Sequence, residues 1–208
     1  FPEVIDFTIQ VAGFADGLSL SDMDADTVQV ICTAGGIERR NVTIDLSDNS
    51  MITDWRKYFI SPITDKSALL MLDLPPYADM FVQVIISKPG GTVEAGSFSI
   101  GPVYDLGATV YGASSSYNSY SNYVDDGFGK RQIFKRGYSK KGDFEIVLPK
   151  ALHDTAFDFL LSRRDEYTIW IGSGDYASMW IGGIAQEPVL IADQPQQSRL
   201  KLLIEALN

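Results

Sequence analysis

Apolar and polar residues alternate one by one along much of this chain, and this period-two pattern constrains the fold more than any other feature. Near the N-terminus, Ile5, Phe7, Ile9 and Val11 alternate with polar residues. Successive side chains of a strand point to opposite faces of a sheet, so this pattern is typical of a strand with one buried and one wet face. The chain is therefore predicted to begin with a β-strand.

Similar apolar segments recur through the first half, and turn-forming residues separate them. The separators include Asp48-Asn49-Ser50, Pro75-Pro76 and Pro89-Gly90-Gly91, which are residue types that favour turns over strands. Several short strands at this spacing indicate a sandwich or a barrel. We predict strands at about 28–33, 42–46, 68–74, 81–87 and 92–100, with a turn or two of helix within 52–60.

A domain boundary is predicted at Gly101-Pro102, because proline biases the preceding residue away from helix and glycine supplies conformational freedom. The charge also changes there. Residues 1–101 carry 14 acidic and 6 basic residues (14 − 6, net −8), whereas residues 102–208 carry 13 and 11 (13 − 11, net −2). We expect a β-sandwich domain over residues 1–101 and a second domain over residues 102–208.

The second half also reads mainly as strands, but it contains one convincing helix over about 149–164. Pro149 suits a first helical turn, and an apolar stripe follows at helical spacing, formed by Leu152, Ala156, Phe157, Leu160 and Leu161. Strands are predicted at about 103–111, 131–137, 142–148, 167–172, 177–184 and 199–206. The fold class is thus mainly β: a sandwich followed by an α+β unit in which a β-barrel or sandwich is flanked by one helix.

Residues 111–143 depart from the composition of an ordinary folded domain. They begin with a Ser, Asn and Tyr segment that has almost no aliphatic residues. Such a segment contributes little to a core, but tyrosines offer a large contact area at low entropic cost. We interpret it as a contact arm for assembly, with Tyr117, Tyr120 and Tyr123 as its aromatic residues.

A basic run follows this tyrosine segment. Six cations lie within twelve residues, at Lys130, Arg131, Lys135, Arg136, Lys140 and Lys141. The chain as a whole has a formal charge of −10, which disfavours nucleic acid as a partner. We therefore expect these cations to face an acidic surface of a neighbouring copy or of the other domain.

No pattern of catalytic or metal-binding residues stands out. His153 is the single histidine and has no accompanying nucleophile or zinc motif, so it is predicted to be a surface helix residue. The acidic run at 22–26 resembles the start of a calcium loop, but Thr27 and Thr33 stand where glycine and glutamate are required. Cys32 lies within an apolar run and is predicted to be a buried strand residue. We predict no enzymatic activity, no cofactor and no metal.

The three tryptophans leave a second class of function open. Trp55, Trp170 and Trp180 are candidate platforms for stacking on sugars, although packing in a core or an interface is the favoured explanation for the latter two, which lie within predicted strands. The chain contains no long apolar stretch, so membrane insertion is not expected. It starts at Phe1, and we expect a processed product or an excised part of a longer protein.

Several loose motifs carry a resemblance to a known family. In the second half they are Leu106-Gly107-Ala108-Thr109-Val110-Tyr111-Gly112, Asp125-Asp126-Gly127-Phe128-Gly129, Lys135-Arg136-Gly137-Tyr138-Ser139-Lys140, Leu160-Leu161-Ser162-Arg163-Arg164, Ile169-Trp170-Ile171-Gly172 and Ile204-Glu205-Ala206-Leu207. The first half adds Ile52-Thr53-Asp54-Trp55-Arg56-Lys57-Tyr58-Phe59 and Leu74-Pro75-Pro76-Tyr77. With these motifs the chain resembles tail proteins of tailed bacteriophages and prophages, of the baseplate, hub or distal-tail type.

The resemblance implies a structural part of a virion tail, made in the cytoplasm of the bacterial host. It implies no catalytic residue. Its partners would be further copies of the chain, in a ring or a trimer, and other tail proteins. The alternative is a carbohydrate-binding module that recognises a host surface polysaccharide through exposed aromatic residues.

Overall fold

The computed structural model describes residues 2–48, 52, 54–60, 64–125, 130–192 and 194–206. The chain divides into two compact units, Phe1–Tyr104 and Asp105–Asn208. Strands make up most of the regular structure in both units, which confirms the predicted mainly β fold class.

Unit 1 is built from short antiparallel strands and one short helix. A four-stranded sheet has the order β1-β8-β3-β4, a three-stranded sheet has the order β7-β2-β9, and β5 pairs with β6. These elements are β1 (Val4–Gln10), β2 (Gly17–Ser21), β3 (Thr27–Ala34), β4 (Ile37–Asp45), β5 (Ser47–Asp48), α1 (Trp55–Ile60), β6 (Thr64–Asp65), β7 (Ala68–Met71), β8 (Phe81–Ser87) and β9 (Ser97–Gly101).

The two larger sheets of unit 1 share one apolar core. β3 alternates strictly, so that Val28, Val30 and Cys32 are fully buried. Apolar side chains of β2 and β8 join the same cluster, and each large one contributes about 1.5–3 kcal/mol through burial. The ring of Phe7 on β1 meets the ring of Phe98 on β9 edge to face, with centroids 5.2 Å apart. This shared core confirms the predicted burial of Cys32.

The end of unit 1 lies slightly beyond the predicted boundary. Gly101 is the last residue of β9 and pairs with Gly17. The backbone N–H of Val103 donates to Oδ1 of Asp16 at 2.5 Å. Residues 102–104 therefore belong to unit 1 because the Asp16 carboxylate holds their backbone beside β2, a contact between residues far apart in sequence.

Unit 2 contains one six-stranded antiparallel sheet, a separate hairpin and the predicted helix. β10 and β11 both pair with β14, followed by β17, β16 and β15, whereas β12 pairs with β13. The strands are β10 (Ala108–Thr109), β11 (Ser114–Ser119), β12 (Asn122–Asp125), β13 (Arg131–Phe134), β14 (Tyr138–Pro149), β15 (Thr168–Ile171), β16 (Trp180–Ile191) and β17 (Gln197–Ala206). The α-helix is α2 (His153–Ser162), and short 3-10 helices cover Lys150–Leu152 and Ala177–Met179.

The helix α2 buries a narrower stripe than its sequence pattern predicts. Ala156 and Leu160 are buried against the core of the sheet, but Leu152, Phe157 and Leu161 remain exposed. Pro149 is extended and ends β14, so the α-helical turns start later than predicted. A helix of only ten residues lays one line of side chains on the sheet, and the flanks of its apolar stripe stay in solvent.

Candidate assembly surface

The tyrosine-rich segment is ordered by pairing with β14. Residues Ser114–Ser119 form β11, with Ser114 opposite Asp143 and Ser119 opposite Tyr138. All six residues of β11 are exposed. Among the described residues, no strand pairs with its other side. β11 is therefore an edge strand with a row of free backbone N–H and C=O groups, which is a template for pairing with another chain.

Tyr117 stands on the exposed surface of β11. Its side chain is 70% exposed, and its ring meets that of Tyr138 edge to face with centroids 6.2 Å apart. Tyr120 follows the end of β11, and its hydroxyl shares a 3.0 Å hydrogen bond with the hydroxyl of Ser139. These tyrosines are thus held by the sheet and are not part of a free arm.

The connection between β11 and β14 is itself a hairpin. The N–H of Tyr120 donates to the carbonyl oxygen of Gly137 at 3.1 Å, so the two long strands meet at that point. Residues 121–125 and 130–136 leave the sheet there and contain β12 and β13, which pair only with each other in the described chain. Residues 126–129, predicted to form a Gly-rich turn, lie outside the described residues. We call residues 121–125 and 130–136 the hairpin.

The hairpin exposes apolar side chains on both of its faces. Tyr123 lies opposite Ile133, and the neighbouring pairs on the other face contain Val124 and Phe134. All four side chains are exposed. An isolated two-stranded hairpin is marginally stable in water because nothing covers its faces. The hairpin therefore offers an apolar surface for which the described chain supplies no cover.

One ion pair ties the two strands of the hairpin together. Nε of Arg131 lies 2.8 Å from Oδ1 of Asp125, and Nη2 donates to Oδ2 at 3.2 Å. This bidentate hydrogen bond lowers the pKa of Asp125 and raises the pKa of Arg131. The same guanidinium lies 5.9 Å from the centre of the Tyr123 ring. The pair fixes the register at the far end of the hairpin.

The six predicted cations separate into two groups. Lys130, Lys135 and Arg136 are exposed, and among the described residues they make no salt bridge. Lys140 and Lys141 instead lie inside β14 and are half-buried, with Nζ of Lys141 at 3.2 Å from Oε1 of Glu205. The hairpin thus holds three exposed cations that form no salt bridge with a described residue, whereas in the sheet Lys141 is paired with Glu205.

An open groove of about 720 Å³ lies in unit 2, beside the base of the hairpin. Tyr120, Asp165, Gln186, Glu187 and Glu205 line it, and no lining residue is basic. The amide of Gln186 donates to the carboxylate of Glu205. We call this the acidic groove. Sequence reasoning missed it because its carboxylates come from separate segments that only the sheet brings together.

The tryptophans have different environments. Trp170 is 6% exposed and its indole N–H donates to the carbonyl oxygen of Gly183 at 3.3 Å. Trp180 is half-buried and donates to the carbonyl oxygen of Ser173 at 2.8 Å. Burial leaves Trp170 no free platform for a sugar, whereas Trp180 stays partly exposed with its indole N–H held by a backbone carbonyl. Trp55, by contrast, is 79% exposed on α1, with its ring edge to face with that of Phe59.

The other candidate reactive residues have structural partners. Nδ1 of His153 lies 2.8 Å from Oγ of Ser198, and Ser198 is buried. Burial raises the pKa of the Cys32 thiol. Lys88 pairs with Asp24 of the acidic run. Across the described ranges, no group of three or more His, Cys, Asp or Glu residues is arranged to hold a metal ion.

No known family model matches this chain, and a search of curated proteins returns no match. Within the described part of the chain, none of the helices has the length and apolar character needed to cross a membrane.

Proposed function

We propose that this chain is a non-enzymatic structural component of a bacteriophage tail, at the tail tip or baseplate, and that its copies assemble through β11 and the hairpin. One observation supports self-assembly most directly: the two strands of the hairpin expose four apolar side chains, those of Tyr123, Val124, Ile133 and Phe134. Covering these side chains would remove apolar surface from water, which favours association by about 25 cal/mol per Å².

The free edge of β11 supports the same proposal. Among the described strands, none pairs with its outer side, and a strand from another chain would satisfy the free backbone groups there. The Ser and Asn side chains of β11 keep this edge soluble until a partner binds it. Copies joined by such contacts form a closed ring if each copy is related to the next by the same rotation about a common axis.

The tail assignment rests on the motifs that resemble phage tail proteins and on the mainly β fold, in which unit 2 combines a sheet with one helix. Other tail proteins would then be further partners. The assignment predicts that peptides of this chain occur in purified virions made from the genome that encodes it. Their absence from intact virions would contradict the tail assignment without affecting self-assembly.

Solution mass tests self-assembly directly, and the structure suggests a precise deletion. Replacing residues 121–136 with Asn-Gly joins Tyr120 to Gly137, which already share a backbone hydrogen bond, through a turn that suits antiparallel strands. This shortened chain keeps β11, β14 and the groove. We expect light scattering to find a defined oligomer for the intact chain and a monomer for the shortened one.

A second variant keeps the hairpin but removes its apolar surface. Changing Tyr123, Val124, Ile133 and Phe134 to Ser should also abolish the oligomer, while near-UV circular dichroism checks that both variants stay folded. An intact chain that stays monomeric at all protein concentrations would overturn self-assembly. An oligomer that survives both changes would exclude the hairpin as the contact.

The exposed aromatic cluster of α1 favours carbohydrate binding as a second candidate function. Trp55, Tyr58 and Phe59 are all exposed, and the ring of Phe59 meets the rings of Trp55 and Tyr58 edge to face, with centroids 5.4 Å apart in each pair. A host polysaccharide would stack on Trp55. On a glycan array, Trp55→Ala should abolish binding, whereas Ile60→Ala, which removes another exposed apolar side chain of the same helix, should not. Binding unaffected by Trp55→Ala would exclude this site.

A further inference from the structure

The hairpin is cationic, although it belongs to an acidic chain. Residues 121–136 contain four basic residues and two acidic ones (4 − 2, net +2), which leaves −12 for the rest of a chain of net charge −10 (−10 − 2). Of these basic residues only Arg131 has an acidic partner in the described chain. Lys130, Lys135 and Arg136 are exposed, and none of them has a carboxylate partner among the residues that the structure describes.

The acidic groove has the complementary character. Asp165 and Glu187 are exposed on its wall and form no salt bridge with any described residue. Glu205 shares its carboxylate with Lys141 and Gln186. A volume of about 720 Å³ falls within the range of about 300–1,000 Å³ of typical binding clefts. The groove therefore has room for cationic side chains and an aromatic wall, Tyr120, on which a guanidinium can stack.

We infer that the hairpin of one copy docks into the acidic groove of the next copy, with Lys135 and Arg136 facing Asp165 and Glu187. This inference rests on the proposed assembly function and names the partner of the hairpin as a second copy of this chain. Hairpin and groove are different surfaces, so the contact is head-to-tail, and it produces a closed ring when the rotation between copies closes. Burial of the apolar hairpin residues and pairing of opposite charges would act together.

Charge reversal on each side tests this contact. Lys135→Glu with Arg136→Glu makes the hairpin acidic, and Asp165→Lys with Glu187→Lys makes the groove basic. Each double variant alone should associate about tenfold more weakly or worse than the intact chain. An equimolar mixture of the two variants should recover a ring with an even number of copies, and a chain carrying all four changes should recover a ring of any size, because opposite charges then meet in every contact.

Two controls make the outcome specific. Arg56→Glu with Lys150→Glu changes the net charge as much as the hairpin variant does, at exposed positions outside the hairpin and the groove, and should leave the oligomer intact. Association of the intact chain should weaken as salt rises, since solvent-exposed charges are screened beyond about 8–10 Å at physiological ionic strength.

The possible results distinguish a failure of this docking contact from a failure of self-assembly. Recovery in the mixture supports docking between copies. If a chain carrying all four changes stays monomeric while the charge changes on either side alone expose its hairpin, the hairpin folds onto the groove of its own chain, and the inference is overturned. If neither that chain nor the mixture forms the oligomer, and no charge change exposes the hairpin, while the shortened chain of the previous section is monomeric, the hairpin drives assembly through another surface; the inference fails and the assembly function stands.

Discussion

Asp125 and Arg131 illustrate how one residue pair can report on the hairpin. The bidentate hydrogen bond from Arg131 lowers the pKa of the Asp125 carboxyl in the folded chain. A lowered folded-state pKa stabilises the folded hairpin above the unfolded-state pKa, and this contribution is lost as pH falls through the folded-state pKa. The hairpin should therefore lose the stabilisation from this ion pair only at acidic pH, where Asp125 becomes protonated.

Titration of the Asp125 side-chain carboxyl by ¹³C NMR checks this prediction. Arg131→Gln should raise the pKa of Asp125 towards its ordinary value, because it removes the charged donor. Arg136→Gln is the matched control, since Arg136 makes no ion pair with Asp125, and it should leave that pKa unchanged. An Asp125 pKa insensitive to Arg131→Gln would show that the pair does not form in solution.

The local sequence predicts the environment of some residues better than that of others. Cys32 was placed correctly because burial in a strand follows from the alternation around it. The hydrogen bond and the partial burial of Trp180 could not be predicted in this way. Its indole N–H donates to the carbonyl oxygen of Ser173, and that contact depends on how the chain turns back before β16. Local pattern indicates which face a side chain takes, and tertiary contacts decide what meets it.

At the scale of elements, β17 shows the period-two pattern most clearly. Leu200, Leu202 and Ile204 are buried in the core of unit 2, whereas Leu203 on the opposite face is 44% exposed. Leu200→Ala should lower the free energy of unfolding of unit 2 by about 2–5 kcal/mol, because it leaves a cavity in a packed core. Leu203→Ala removes the same atoms from a half-exposed site and should cost less than about 1 kcal/mol.

Urea unfolding followed by the fluorescence of Trp170 and Trp180 measures these changes in unit 2. A chain with Trp55→Phe removes the signal from unit 1 and serves as the common background. Equal losses for Leu200→Ala and Leu203→Ala would mean that β17 does not hold the register in which it pairs with β14 and β16.

Elements were predicted best where they alternate and worst where pairing alone orders them. The strand predicted at 81–87 is β8, with the same bounds. β2 does alternate, with Leu18 and Leu20 buried, but its run is only five residues long and begins with Gly, which is depleted in strands; it lies at the centre of its sheet between β7 and β9. β11 has no alternation of apolar residues, and its pairing with β14 orders it.

At the scale of the whole molecule, each unit has its own apolar core. Each unit contains about a hundred residues, a usual size for a domain that folds alone. We therefore expect residues 1–104 and 105–208, produced separately, to fold independently. Dispersed amide signals in the NMR spectrum of each half would confirm this, whereas a collapsed spectrum from either half would contradict it.

Self-assembly depends on the charge of the whole chain as well as on the hairpin. The chain has a net charge of −10, which opposes association of copies through unspecific contacts. A cationic hairpin is the exception that can make such contact selective, because it directs the attraction to one acidic surface. The sequence indicated this segment through its tyrosines and cations, but not the groove that we propose as its partner.

Local sequence predicts the mainly β class, most strand positions and the aromatic, cationic character of residues 111–143. These properties are local, since alternation and composition can be read within a few neighbouring residues. Three further features emerge only when the chain is folded: β11 lies at a sheet edge, β12 and β13 pair apart from the sheet, and Asp165, Glu187 and Glu205 share a groove. Strand order and register depend on contacts between residues far apart in the chain, and no local pattern encodes them.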